Sequence, residues 1–366
     1  MNTPIKFVMI GGFLGAGKTT LISQLARRFQ AQGKHVCVVT NDQAAGLVDT
    51  EMLKRQGLEV NEVAGSCFCC NFNGLTDAID EFETRQRPDV ILAEPVGSCT
   101  DLIATIALPM MEKLGAKLDH SPYAVVLKPG HGLRILSGSG RGGFSPKAEY
   151  IFRKQLEESE LILLNRIDEL SPQQVAELQA LLAEQYPGRE IICLSAKTGK
   201  NIEQLFTALQ STAAARQTTM DVDYDVYAEG EAELGWLNAT AVLHSDRELP
   251  LDAIAVELVE DLRQRFLALH AEPGHLKILC SSAGDVSVAN LVSSESPTML
   301  SMASEATSRE LSLIINARIR LAPEPLQEVV CDAVQSLAGK YAARAELQQL
   351  ESFRPGRPTP TFRAAR

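Results

Sequence analysis

The sequence predicts a doubly wound, mostly parallel α/β sheet carrying a glycine-rich loop, followed by a smaller C-terminal α/β domain. Three observations predict it. Continuous apolar runs alternate with amphipathic stretches as far as Leu209. A G-x-x-x-x-G-K-[ST] pattern, filled by Gly12, Gly17, Lys18 and Thr19, stands between the first run and the first amphipathic stretch. Beyond an acidic stretch at Met220–Glu233 the order of elements changes.

The apolar runs read as parallel strands covered on both faces. They are Ile5–Ile10, Val36–Val39, a weaker Leu58–Val63, Val90–Ala93, Ala124–Leu127, Leu161–Leu164 and Ile191–Leu194. Helices are expected between them over Leu21–Phe29, Leu75–Phe82, Leu102–Leu114, Ile151–Leu156, Gln173–Tyr186 and Ile202–Leu209. The Gly- and Ser-rich stretch Pro129–Pro146 reads as a mobile loop in which His131 is solvated. Met220–Glu233 reads as an extended acidic connector. The second domain reads as strand (Leu237–Leu243), helix (Leu251–Leu269), strands (Leu276–Cys280, Val286–Val292, Leu311–Leu321) and helix (Pro325–Tyr341), with helices on one face of a mixed sheet. The expected organisation is a nucleotide domain at 1–215, a linker at 216–235, a small domain at 236–346 and a basic, proline-containing tail at 347–366. That tail, with Arg354, Arg357, Arg363 and Arg366, is expected either to dock on an acidic surface or to stay disordered.

Composition excludes some function classes. The chain has 366 residues, is 45% hydrophobic and carries a net charge of −11, which disfavours non-specific nucleic-acid binding. No apolar run reaches the roughly 18 residues of a membrane span. The early apolar stretch runs directly into the glycine loop, so it reads as a core strand and the protein as cytoplasmic.

The glycine loop sets the first chemistry. Glycines let successive backbone N–H groups turn toward a phosphate, and the following helix adds its positive end. The cradle is Gly12, Gly15, Ala16, Gly17, Lys18, Thr19 and Thr20. Lys18 is placed to reach the β- and γ-phosphates and Thr19 to offer its hydroxyl to Mg²⁺.

Three later motifs point to GTP. Asn165-Arg166-Ile167-Asp168 closes a strand, and an aspartate there accepts both guanine N1–H and N2–H₂, a donor pair that adenine lacks. Ser195-Ala196-Lys197 follows the next strand and offers a backbone N–H to guanine O6. Glu94-Pro95-Val96-Gly97 ends another strand; Glu94 is placed to hold a Mg²⁺-bound water and Gly97 to sense the γ-phosphate.

Of the eight cysteines, Cys67, Cys69 and Cys70 fall within four residues. In a cytosolic chain such clustering points to metal or redox chemistry. Three thiolates converge on one soft or borderline cation and leave a fourth position, for which Asp42 is a candidate oxygen donor. Zn²⁺, Co²⁺ and Ni²⁺ all suit the set. The other five cysteines, Cys99 among them, read as small buried hydrophobes.

Taken in order, GGFLGAGKTT, Asn41-Asp42, GSCFCC, EPVG, NRID and SAK resemble the CobW-like metallochaperone GTPases, relatives of the nickel-insertion GTPases of hydrogenase and urease maturation. The resemblance covers the portion before the acidic stretch. It implies GTP hydrolysis coupled to metal transfer. By position it makes Gly12–Thr20 the phosphate and Mg²⁺ site, Cys67, Cys69 and Cys70 metal ligands, and Asp49 the switch aspartate. Asp42 stands where the family usually has Glu, Gln43-Ala44 replace Phe-Gly, and Arg166 replaces Lys.

The expectation is therefore a Mg²⁺-dependent GTPase that loads a divalent metal, or a metal cofactor, into a client protein, with Lys18, Glu94 and Asp42 as candidate catalytic residues. Thr19, Asp42 and Glu94 join the three thiols as candidate metal ligands, Thr19 and Glu94 toward Mg²⁺ and Asp42 toward the cation at the thiols. A nucleotide-dependent homodimer is included; nucleic-acid and membrane partners are not. The alternatives are a GTPase that guards a corrinoid enzyme, a P-loop kinase or similar small-molecule transferase with Pro129–Pro146 as its lid, and a non-catalytic metal buffer or sensor.

Overall fold

The computed structural model describes residues 3–137, 145–212, 219–294 and 296–365. The chain forms two compact units. One comprises Met1–Gln43, Met52–Gly230 and Arg357–Arg366, the other Ala44–Glu51 and Glu231–Gly356.

The first unit is built on strands β1 (Ile5–Gly12), β2 (Val36–Asn41), β3 (Glu59–Val63), β4 (Val90–Glu94), β5 (Leu118–His120), β6 (Ala124–Leu127), β7 (Leu161–Leu164) and β8 (Glu190–Cys193). The sheet order is β3-β2-β4-β1-β6-β7-β8, with β5 also paired to β1. Every pairing is parallel. Consequently the ends of β1, β2, β3, β4, β7 and β8 all emerge on one edge, which is where open sheets of this kind bind ligands. The helices are α1 (Lys18–Ala31), α2 (Val48–Arg55), α3 (Phe72–Gln86), α4 (Leu108–Leu114, led by a π-turn at Ile103–Ala107), α5 (Pro129–Leu136), α6 (Pro146–Glu158), α7 (Pro172–Gln185), α8 (Ile202–Gln210) and α9 (Tyr224–Glu231). Val8, Ile10, Val38, Leu92, Val126, Leu163 and Ile192 bury one sheet face under Leu21, Ile22 and Leu25 of α1 and Leu205 and Phe206 of α8.

All seven expected strands are present. β5 was not expected, because Leu118-Asp119-His120 is too short to carry a periodic signal; it lies beside β1 just before β6 takes over that flank. Two further expectations are corrected. Pro129–Pro146 is not one loop: Pro129 starts α5, and Ser145 caps α6 by accepting from Lys147 N and Ala148 N. Residues 138–144 lie outside the described residues. The acidic stretch is not fully extended, since Tyr224–Glu231 is helical.

The second unit holds β9 (Gly235–Pro250), β10 (Pro273–Ser282), β11 (Asp285–Leu291), β12 (Met299–Met302), β13 (Thr307–Ile319) and β14 (Ala343–Phe353), with α10 (Leu251–Ala268) and α11 (Pro323–Lys340). Its order is β12-β11-β10-β13-β9-β14. The sheet is antiparallel throughout, not mixed. Ile254, Leu258 and Leu262 of α10 and Val330 and Val334 of α11 pack with Leu276, Ile278, Leu313 and Ile315 in one core. Residues 347–353, expected in the tail, belong to β14, where Leu347 and Leu350 lean on that core.

The segment Ala44–Glu51 belongs to this second unit. Asn238 Nδ2 donates to Ala45 O at 3.0 Å and Asn316 Nδ2 to Gly46 O at 3.1 Å, while Asn316 Oδ1 accepts from Val48 N at 2.7 Å. Val48 joins Leu279, Val286 and Val288 in a small apolar cluster. Among the described residues, no helix is long and apolar enough to cross a membrane.

Candidate functional site

The glycine loop runs from the end of β1 into α1. Gly17 sits at φ +97°, and a Cβ there would meet Asn165 Nδ2 at 2.6 Å, so only glycine fits both the backbone and its neighbour. Lys18 is buried and its Nζ donates to Gly12 O at 2.9 Å. Thr19 Oγ1 donates to Glu94 Oε1 at 3.0 Å, both residues being buried. Those two hard oxygens stand about as far apart as adjacent ligands of an octahedral Mg²⁺ with bonds of about 2.1 Å. The donor set fits that ion: Thr19 and Glu94 would hold it, and it would supply charge neutralisation between phosphates. A Cβ on Gly97 would lie 3.0 Å from Lys18 Nζ and 2.7 Å from Leu14 Cδ2, so the EPVG turn closes directly over the loop. Gln155 Nε2 fixes this turn, donating to Gly97 O at 3.0 Å and Cys99 O at 2.8 Å. Thr20 is exposed on the first turn of α1.

Asn165 ties three loops together. Its Nδ2 donates to Ala16 O at 2.8 Å and its Oδ1 accepts from Ala196 N at 2.9 Å. Its amide is thus committed to joining the glycine, NRID and SAK loops. Arg166 takes φ +58°, and its guanidinium donates to Gly15 O at 3.3 Å. This backbone turn leaves Asp168 exposed on the short helical turn Ile167–Glu169. Lys197 is exposed, and buried Ser195 accepts from Thr198 N at 3.1 Å.

His131 is buried at 4% exposure on α5, not solvated. Its ring stands edge-on to Phe13 of the glycine loop, with centroids 5.9 Å apart. Burial, with Lys128, Arg134 and Arg166 nearby, holds the imidazole well below its ordinary pKa.

The cysteine loop follows β3 and leads into α3. Cys70 N and Asn71 N both donate to Cys67 O, at 3.0 and 2.9 Å, curling the loop so that the side chains meet. The sulfurs are 3.1 Å (Cys67–Cys69), 3.3 Å (Cys67–Cys70) and 3.8 Å (Cys69–Cys70) apart. A tetrahedral cation with metal–sulfur bonds of about 2.3 Å needs sulfurs about 3.8 Å apart, so Cys69 and Cys70 already stand at that spacing and Cys67 would move outward by about 0.5–0.7 Å. Hydrogen bonding with Cys69, then Cys70 and Cys99, holds Cys67 well below the ordinary thiol range. The same bond to Cys67 pushes Cys69 up and Cys70 up to about 11.

Cys99 is the residue that sequence reasoning missed. It is buried, and it acts on the Cys67 and Cys69 thiols without joining the group of Cys67, Cys69 and Cys70 whose sulfurs lie within 4.8 Å of one another. The available signal was its place two residues after Gly97. Asp42 is buried just past the end of β2 and, like Cys99, lies outside the group of ligand atoms within 4.8 Å of one another. Asp49 lies in the second unit, where its carboxylate is paired with Lys277 Nζ.

The C-terminal tail lies over the cysteine loop. Thr359 N donates to Cys70 Sγ at 3.2 Å, Thr361 N to Cys69 O at 2.8 Å and Thr361 Oγ1 to Cys70 O at 3.0 Å. Phe362 meets the Phe72 ring edge-on at 5.1 Å, and Lys113 Nζ sits 3.5 Å from the Phe362 ring centroid. Arg363 Nε is 2.7 Å from Asp101 Oδ2, a carboxylate that also accepts from Tyr224 Oη. The basic tail thus docks on a buried acid.

The family described as CobW/HypB/UreG, nucleotide-binding domain, matches residues 6–193. Zinc chaperone YeiR of Escherichia coli is 27% identical over 188 residues, 50% of this chain and 53% of that protein. Zinc chaperone CobW of Pseudomonas aeruginosa is 24% identical over 205 residues, 50% of this chain and 54% of that protein. The chain thus spans about half the length of these curated relatives. Among solved structures, HypB from Helicobacter pylori in complex with nickel is 17% identical, covering 60% of this chain and 91% of that one at a TM-score of 0.40. Zn(II)-bound YjiA GTPase from E. coli is 14% identical, covering 92% and 99% at 0.38. The match over residues 6–193 takes in more than half of the sequence, and the chain belongs to the CobW/HypB/UreG nucleotide-binding family.

Proposed function

We propose that this protein is a GTP-hydrolysing metallochaperone. It binds a divalent transition metal, foremost Zn²⁺, on the thiols of the cysteine loop and delivers it to a client protein. The observation that carries this reading is the short path between the two chemistries. Gly97 lies against Lys18, and two residues later buried Cys99 acts on the Cys67 and Cys69 thiols. On the adjoining strand, Thr40 pairs with Glu94, and the next residue, Asn41, holds the cysteine loop.

In this account Gly12–Thr20 bind the phosphates, Lys18 lies against their charge, and Thr19 and Glu94 hold Mg²⁺, which supplies neutralising charge. Asp168 selects guanine. Lys18 and Glu94 act at the reacting phosphate, Glu94 by orienting the attacking water, with Asp42 beside them at the strand ends. The metal is cargo, carried by Cys67, Cys69 and Cys70 with Cys99 alongside. A γ-phosphate pressed against Gly97 shifts the 97–99 turn and with it the thiol cluster; hydrolysis releases that shift. The relatives named as zinc chaperones support zinc as first choice among metals.

The test is phosphate release from GTP and from ATP without any added acceptor. GTP turnover that ATP does not match, lost in Lys18→Ala and shifted toward other bases in Asp168→Asn, is the expected result. Equal use of ATP, or turnover only with a phosphate acceptor, overturns the reading in favour of a kinase.

A further inference from the structure

Far from the cysteine loop, at the opposite end of β2 and β3, His35, Cys37 and Glu59 bring an imidazole nitrogen, a thiol and a carboxylate together. The geometry points to a second, accessory zinc site formed by His35 Nε2, Cys37 Sγ and Glu59 Oε2, with its fourth position facing solvent.

The sequence places these groups by strand geometry alone. His35 and Cys37 are two residues apart, so they share one face of the strand. Cys37 and Glu59 are direct partners in the parallel β2–β3 register. The three ligand atoms stand 3.3 Å (His35 Nε2 to Glu59 Oε2), 3.6 Å (Cys37 Sγ to Glu59 Oε2) and 3.9 Å (Cys37 Sγ to His35 Nε2) apart. Tetrahedral zinc, with bonds of about 2.0–2.3 Å to N, O and S, requires edges of about 3.3–3.6 Å. The trio therefore needs a few tenths of an ångström of adjustment and no backbone movement.

Hydrogen bonding orients the imidazole for this role. His35 Nδ1 lies 3.3 Å from Arg87 O, and a carbonyl only accepts, so Nδ1 carries the proton. With Nδ1 committed to that carbonyl, Nε2 is the ring nitrogen turned toward Glu59 Oε2 and Cys37 Sγ. Such a carbonyl-fixed imidazole is the usual outer support of a zinc-bound histidine. The His35 backbone is also pinned, its N–H donating to Asp89 Oδ2 at 2.8 Å. Arg85 stands 3.8 Å from the other carboxylate oxygen, Glu59 Oε1, and leaves Oε2 to the cluster. Cys37 is fully buried, while the side chains of His35 and Glu59 are 26% and 30% exposed, so an ion enters from solvent and water completes its shell. Binding exchanges the Cys37 thiol proton for Zn²⁺ and releases that proton to buffer.

The test counts metal in the full-length protein. Wild type is titrated anaerobically with Co²⁺, then with Zn²⁺ against a chelating competitor. Two equivalents are expected for wild type and one for Cys37→Ser. A Cys67→Ser/Cys69→Ser/Cys70→Ser variant should keep one equivalent and a weak charge-transfer band from a single thiolate, and adding Cys37→Ser should remove that band. Glu59→Gln, at a part-exposed position that leaves the core intact, should weaken this equivalent more than tenfold. No metal bound by the Cys67→Ser/Cys69→Ser/Cys70→Ser variant, a band there that survives the added Cys37→Ser, or unchanged affinity in that background on Glu59→Gln each overturns the proposal, whatever the cysteine loop binds. None of these readouts depends on nucleotide, so failure of the chaperone reading would leave them unaffected.

Discussion

Asn41 Oδ1 accepts the backbone N–H of Phe68 at 2.7 Å, and Asn41 Nδ2 donates to Ser66 O at 2.9 Å. One buried amide at the end of β2 thus grips both sides of Cys67. Asn41→Ala leaves these backbone groups without their partner, at a cost of about 1–3 kcal/mol for each buried group. Metal affinity at the cysteine loop should fall roughly 10–100-fold, as for loss of an outer-shell support. Chelator competition measures it, with a thermal melt to confirm folding. Wild-type affinity would mean the loop holds its shape without Asn41.

Cys99 should matter to metal binding although it lies outside the C-x-C-C motif. Cys99→Ser should weaken Co²⁺ or Zn²⁺ binding by about tenfold or more, the scale of outer-shell losses. It should also change the thiolate charge-transfer spectrum if the sulfur enters the coordination shell. An unchanged spectrum and affinity would make Cys99 a packing residue.

The tail contact predicts protection. Phe362→Ala with Arg363→Ala removes the ring contact to Phe72 and the ion pair to Asp101. Alkylation of Cys70, which is half-buried beneath Thr359, should then proceed several-fold faster in the metal-free protein. Equal rates would show that the tail does not shield the thiol.

Glu158 sets a pH dependence. It is buried, accepts from Thr100 Oγ1 at 3.1 Å and Ile103 N at 3.3 Å, and burial pushes its carboxyl from about 4.5 up to about 8. Between these values the folded chain holds a proton that the unfolded chain has released. Its contribution to stability is therefore full below about 4.5 and is lost as pH rises toward 8. Glu158→Gln has no such proton. The Tm difference between variant and wild type should move in the variant's favour from pH 5 to pH 8; a constant difference would contradict the shift.

The first unit was legible because parallel strands buried on both faces read as plain apolar runs, and each motif sits at a strand end. β5 and β12 were not: β5 has three residues, and β12, Met-Leu-Ser-Met with its two central residues exposed, is not a buried apolar run. β14 carries only Ala, Leu and Phe at spaced positions among Arg, Glu and Gln, so its edge-strand pattern resembled a polar tail. Of the site, the glycine loop, Glu94 and the three clustered thiols are brought together. Cys99 carried only the weak signal of its place after Gly97, and the basic tail's charge foretold an acidic partner but not that it is Asp101. Asp49 matched by spacing alone, and spacing does not report Lys277, more than two hundred residues away. His131 looked solvated because glycines surround it, yet α5 turns it inward.

The most direct measurement is zinc affinity of the full-length protein with and without Mg·GTP, by anaerobic competition with a chelator of known affinity. Coupling of about 1–3 kcal/mol predicts a 5–150-fold change. The change should vanish in Lys18→Ala and in Cys69→Ser/Cys70→Ser. Zinc affinity indifferent to nucleotide in the wild-type protein would contradict the account, leaving the thiols as a site with no link to the phosphate loop.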